Sequence, residues 1–172
     1  MATAAGLHPH REVAVYNTGD RPADVLLPSW SSGRPLAVDV SVSHPQQAPT
    51  TTAARRGKTA SALAVAAREN AKIARYDSAC RNAGADFLPL VCCAYGGWAS
   101  SSQRFLKTLA HRLAAKARGT AALVHANTLR VLSATLWREN ARVALGERGC
   151  IGAGAAAGWA RAILDQVWNP WH

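Results

Sequence analysis

The sequence predicts an α/β domain built on a mixed sheet, and three observations carry that prediction. Three short runs, apolar and rich in β-branched residues, lie between turn signals over residues 12–42. A long stretch at 58–83 then contains neither Pro nor Gly and is dominated by Ala, Arg, Lys and Glu. An apolar run of strand length follows at 87–94, ahead of two further helical stretches. The expected order is strand, strand, strand, helix, strand, helix, helix. That is a three-strand antiparallel meander joined to one parallel strand by a helical crossover.

Each element has its own signal. Residues 12–16 read as the first strand, closed by Asn17-Thr18-Gly19-Asp20. Residues 24–27 read as the second, closed by Pro28, and Ser31-Ser32-Gly33-Arg34-Pro35 is the next turn. Residues 36–42 alternate as a third strand. Pro, Gln and Thr mark 44–52 as a surface loop. Gly84 supplies the stop for the first helix, and Gly96-Gly97 ends the fourth strand. Residues 98–118 form the second helix, closed by Gly119. Residues 123–145 form the third, with Leu129, Leu132, Leu136 and Val143 on one face. A short helix is expected around 155–167.

The chain has 172 residues and is 49% hydrophobic, enough for one domain with a core and too short for two. Its 20 Lys and Arg against 10 Asp and Glu give a net charge of +10. The excess is localised: residues 51–150 hold 16 cations against five acids, while residues 1–50 hold three against four. Such a balance argues against cationic substrates and for a polyanionic partner, nucleic acid or an anionic membrane surface. There is no signal-peptide run and no stretch of about 18 apolar residues. A nuclear or cytoplasmic protein, not secreted and without a membrane partner, is expected. Cys80, Cys92, Cys93 and Cys150 show no zinc spacing, and Cys92-Cys93 reads as a pair of buried thiols in a reducing compartment.

Among the few acids, Asp24 and Asp39 stand out. Asp is a poor strand residue, yet Asp39 sits inside Leu-Ala-Val-Asp-Val-Ser-Val. If the second and third strands pair, their turn brings Asp24 and Asp39 to one end of the sheet. Two neighbouring carboxylates repel, and a hard divalent cation, Mg2+ or Mn2+, is their natural neutraliser. The plainer alternative makes Asp24 a turn cap and Asp39 a solvent-facing strand residue.

Arg21-Pro22-Ala23-Asp24, a gap of 14 residues, and Asp39 in an apolar strand resemble the PD-(D/E)XK nuclease superfamily. Within it the chain looks most like the restriction-like endonuclease domain of non-LTR retrotransposon polyproteins, whose helix carries a displaced catalytic Lys followed by an aromatic. Ala67 to Tyr76, containing Lys72, is similar to that helix, and Phe87-Leu88-Pro89-Leu90-Val91 and Tyr95-Gly96-Gly97-Trp98 resemble the strand and Gly turn that follow it. Four departures are visible: Ala23 is inserted between Pro22 and Asp24, the superfamily's usual Lys position is Ser41, Cys92-Cys93 stands at the end of the fourth strand where relatives often carry an acid, and only about 11 residues precede the first strand where the superfamily core starts with a helix.

The resemblance implies a restriction-endonuclease-like mixed sheet with helices packed on it and additional C-terminal helices. Residues 1–11 would be a disordered N-terminal segment, 12–118 the core, 119–148 a C-terminal helix and 149–172 an Ala/Gly/Trp tail. It also implies that an N-terminal portion of a larger polyprotein is missing. The implied activity is Mg2+- or Mn2+-dependent hydrolysis of DNA, with RNA as the second candidate substrate. Asp24 and Asp39 would hold the metal, Lys72 would place charge by the scissile phosphate, and Tyr76 would orient Lys72. Arg21, Arg75, Arg104, Lys107 and Arg118 would contact the nucleic acid. The alternatives are a non-catalytic basic nucleic-acid-binding module and an inactive retroelement relic. On the residues alone, Lys72 could instead be a solvated lysine paired with Glu69, and the stripe of Arg104, Lys107, His111 and Arg118 the wet face of a core helix. Six Trp residues (Trp30, Trp98, Trp137, Trp159, Trp168 and Trp171) read mainly as packing.

Overall fold

A computed structural model describes Leu7 and residues 10–11, 23–31, 33–44, 59–117 and 120–145. Its elements are β1 (His10–Arg11), β2 (Val25–Ser31), β3 (Arg34–Ser43), α1 (Ala60–Asn82), β4 (Asp86–Cys93), α2 (Ser100–Ala117) and α3 (Ala121–Ala144). The sheet order is β1-β2-β3-β4, with β1–β2 and β2–β3 antiparallel and β3–β4 parallel. The domain is therefore α/β with a mixed sheet and a helical crossover, as the sequence pattern predicts. The strand expected at 12–16 lies outside the described residues, as do the helix expected at 155–167, Trp159, Trp168 and Trp171. Here β1 is a two-residue pairing just upstream of 12–16. Of residues 1–11, the described ones are Leu7, buried against the main core, and His10–Arg11, which form this strand.

Local chemistry accounts for the boundaries. In α1, Thr59 is the N-cap, its hydroxyl accepting from the Ala62 N–H at 3.2 Å. Gly84, at φ +80°, closes the helix as the Ala85 N–H returns to the Cys80 carbonyl. Gly33, at φ +77°, lies in the tight turn that sets Ser31 opposite Arg34. Two expectations need correction. Pro28 does not end β2: the register shifts between Leu27 and Ser31, and an irregularity in the ladder tolerates a residue without an N–H. Trp98 does not start α2: it forms an isolated bridge with Cys92, and the helix begins at Ser100.

Because side chains alternate along a strand, β3 shows two different faces. Leu36, Val38 and Val40 join Val25, Leu27, Leu90 and Cys92 in the main core, against Phe105, Leu106 and Leu109 of α2 and Leu132 and Leu136 of α3. α3 therefore contributes Leu132 and Leu136 to the same core as the sheet and α2. The opposite face of β3 carries Ala37, Asp39, Ser41 and Ser43, all buried. Smaller clusters on that side bring Val65 to Val91 and Cys93, and Cys80 to Ala23 and Ala37, so α1 covers it.

The outer margin of β4 is sealed from within. Pro89 has no N–H to offer, and the fully buried Ser102 hydroxyl accepts from the Val91 N–H at 2.8 Å. The Val91 carbonyl accepts from Ala99, and the Cys93 N–H donates to Gly97. Cys80, Cys92 and Cys93 are free and buried; burial pushes the Cys92 thiol up to about 12 and the Cys80 thiol to about 11. These are packing residues, as expected for the Cys92-Cys93 pair; Cys150 lies outside the described residues.

Candidate active site

Three elements meet at Asp39: the start of β2, the middle of β3 and the centre of α1. Val25 pairs with Val38 and Leu26 with Ala37, so continuing the register by one step sets Asp24 opposite Asp39. Asp24 precedes the first strand residue, and its Oδ2 accepts the Val40 N–H at 2.7 Å. That bond ties Asp24 to the backbone of β3, next to Asp39, and is a cross-strand contact and not a turn cap. The solvent-facing alternative for Asp39 does not hold either: the residue is only 7% exposed.

Lys72 reaches from α1 to Asp39, with Nζ 2.9 Å from Oδ1 and most of both side chains covered. It does not pair with Glu69, which accepts instead from the Ser101 hydroxyl at the start of α2. The Ser41 hydroxyl donates to Asp39 Oδ2 at 3.4 Å. Position 41 thus contacts Asp39 through a hydroxyl. Tyr76, one turn beyond Lys72, has its ring centroid 5.4 Å from Nζ and packs on Phe87 at 5.7 Å between centroids. The Arg75 guanidinium lies 4.9 Å from the same ring. Side by side on α1, these contacts restrict where the lysine can point.

Burial raises the Asp39 carboxyl above its ordinary value of 3.8, since desolvation penalises its charged form. The Lys72 hydrogen bond and charge pull the other way, the Asp24 charge raises it further, and Arg68 lowers it. Arg68 stands one turn before Lys72. Its i, i+4 spacing to Lys72 is the signal in the sequence that marks it. Ser41 is marked there only as a departure.

The structure separates the remaining candidates. Arg75 belongs to the neighbourhood of Lys72. Arg104 and Lys107 lie on the exposed side of α2, whose buried side packs on the other face of the sheet. Those two do not share the site of Asp39. Lys107 and His111 sit close enough to His125 of α3 to lower its pKa, after desolvation. Arg21 and Arg118 lie outside the described residues.

As for a metal, the donors at hand are carboxylate and hydroxyl oxygens, with no thiol or imidazole among the Asp39 contacts above. Among the described residues no three His, Cys, Asp or Glu gather into one group. Mg2+ is commonly held by one or two carboxylates together with water and substrate phosphate oxygens, so the donor chemistry of Asp24 and Asp39 fits a hard divalent ion. No described helix is long and apolar enough to cross a membrane. The chain matches no family model, no curated protein and no solved structure, so its functional reading rests on the Asp24–Asp39–Lys72 geometry.

Proposed function

We propose that this chain is a metal-dependent endonuclease domain of the restriction-like class, of retroelement origin, that hydrolyses phosphodiester bonds of DNA. One observation carries the reading: a buried carboxylate and a lysine from distant parts of the chain meet at 2.9 Å, beside a second carboxylate. A pure packing role would not require a charged pair in this position, because apolar residues of similar volume are often as stable or more so.

Asp24 and Asp39 would hold Mg2+ or Mn2+, which when bound supplies an activated water and charge stabilisation for a phosphoryl oxygen. The residues of the chain divide the remaining work. Lys72 presents an ammonium fixed by Asp39, where negative charge develops on the phosphate. Ser41 fixes the second oxygen of Asp39, and Tyr76, braced by Phe87, limits the reach of Lys72.

The test is cleavage of supercoiled and single-stranded DNA by the purified chain in Mg2+ and in Mn2+, beside Asp39→Ala. Metal-dependent nicking by the wild type alone supports the reading. Equal nicking by both, or none by either, removes it. A second reading, a nucleic-acid-binding module without catalysis, draws on the fact that both Asp39 oxygens already accept from the chain's own donors. DNA binding without cleavage selects it.

A further inference from the structure

Arg68 lies on α1 four residues before Lys72, a rise of about 6 Å along the helix axis. It is exposed and shares the Lys72 side of α1, and its charge favours the ionised Asp39 carboxyl against the burial that raises it. The acids nearest to it in sequence are engaged elsewhere: Glu69 with the Ser101 hydroxyl, and Asp77 with Arg81 at 3.1 Å. Asp86 lies 3.4 Å from Arg34. An exposed guanidinium one helical turn from a buried ion pair, with the neighbouring acids engaged elsewhere, suits a ligand that is itself anionic. Its planar fork matches a phosphate.

We propose that Arg68 takes the backbone phosphate adjoining the one that reaches Lys72, so that one strand of nucleic acid runs along α1. The inference rests on the phosphodiester reading above and names how that site grips its substrate. Contacts of this kind are to the backbone, so the grip is independent of base sequence. It also assigns binding to α1 in preference to α2. Lys107 is exposed as well, but it sits on α2, whose buried side packs on the sheet face opposite to the one α1 covers.

Fluorescence anisotropy tests this with the full chain, a labelled single-stranded oligonucleotide and its duplex, in EDTA so that no cleavage intervenes. Arg68→Ala should weaken binding about tenfold at low salt and reduce the slope of log affinity against log salt by about one. Arg68→Lys should keep the slope, and Lys107→Ala should stay within about twofold of wild type. Unchanged melting of Arg68→Ala, expected for an exposed side chain, separates lost contact from lost fold. An Arg68→Ala variant with wild-type affinity and slope overturns the inference, and so does a larger loss for Lys107→Ala. Failure of the wild type to cleave in Mg2+ defeats the hydrolytic reading alone and leaves this comparison standing. Absence of any salt-sensitive binding by the wild type defeats both.

Discussion

One strand, β3, serves two faces of the sheet with opposite chemistry. Towards α2 and α3 it turns Leu36, Val38 and Val40; towards α1 it turns Ala37, Asp39, Ser41 and Ser43. The first face gains from removal of apolar area from water. The second buries a carboxylate and two hydroxyls, groups that must be partnered to be tolerated. Stability and chemistry are therefore divided between two sides of the same backbone, about one side chain apart. A stabilising core on one side permits an unfavourable burial on the other.

Four changes would break or sharpen that contrast. The largest effect is expected from Asp39→Asn, which should reduce metal-dependent cleavage by about a thousandfold or more, measured as initial nicking rate. The same variant should melt higher at neutral pH. Burial raises the Asp39 carboxyl, so its ionised form disfavours the folded state above the folded pKa, and that penalty vanishes on acidification below the ordinary 3.8. The gain in melting temperature should accordingly fade in acid. A variant that loses stability at pH 7 would show that Asp39 belongs to the supporting side after all.

Next in size, Leu106→Ala on the apolar face should lose about 3 kcal/mol in urea unfolding, since Leu106 is fully buried against the sheet. Its cleavage rate should hold wherever the variant remains folded. Lys72→Met should then slow cleavage by about a hundredfold and lower the melting temperature at neutral pH, because it leaves the buried Asp39 carboxylate without its cation. Adding Ser41→Lys to it should restore part of the rate, because position 41 already reaches Asp39. No recovery in the double variant would mean that the cation must come from the helix. Smallest, Ser102→Ala at the margin of β4 should lose about 2 kcal/mol by leaving the buried Val91 N–H without its acceptor.

Much of this was legible in the residues. Asp39 was conspicuous as an acid inside an apolar strand, and hairpin pairing was enough to set Asp24 near it. The helices were legible from the run without Pro or Gly and from Gly84. What escaped was which helix covers which face. Period-2 alternation separates the two sides of β3 but does not say that α1 lies over Asp39 and α2 over Val38. Arg104 and Lys107 were therefore grouped with residues that the sheet divides from them. Pro28 misled for a related reason: a lone proline signals a strand end, and only the ladder reveals a shift in register that accommodates it. Ser102 carried no signal, since a serine near a helix start reads as a cap until the neighbouring strand is seen.

The sealed margin of β4 has a consequence for assembly. A sheet recruits a foreign strand by offering a ladder of unclaimed amides and carbonyls. From Pro89 to Cys93 that template is missing or already used by the loop and helix that follow. Strand exchange or fibril-like stacking is thus closed along this stretch. Partners of this chain must meet it through side chains here, by charge and shape, and not by continuing its backbone pairing.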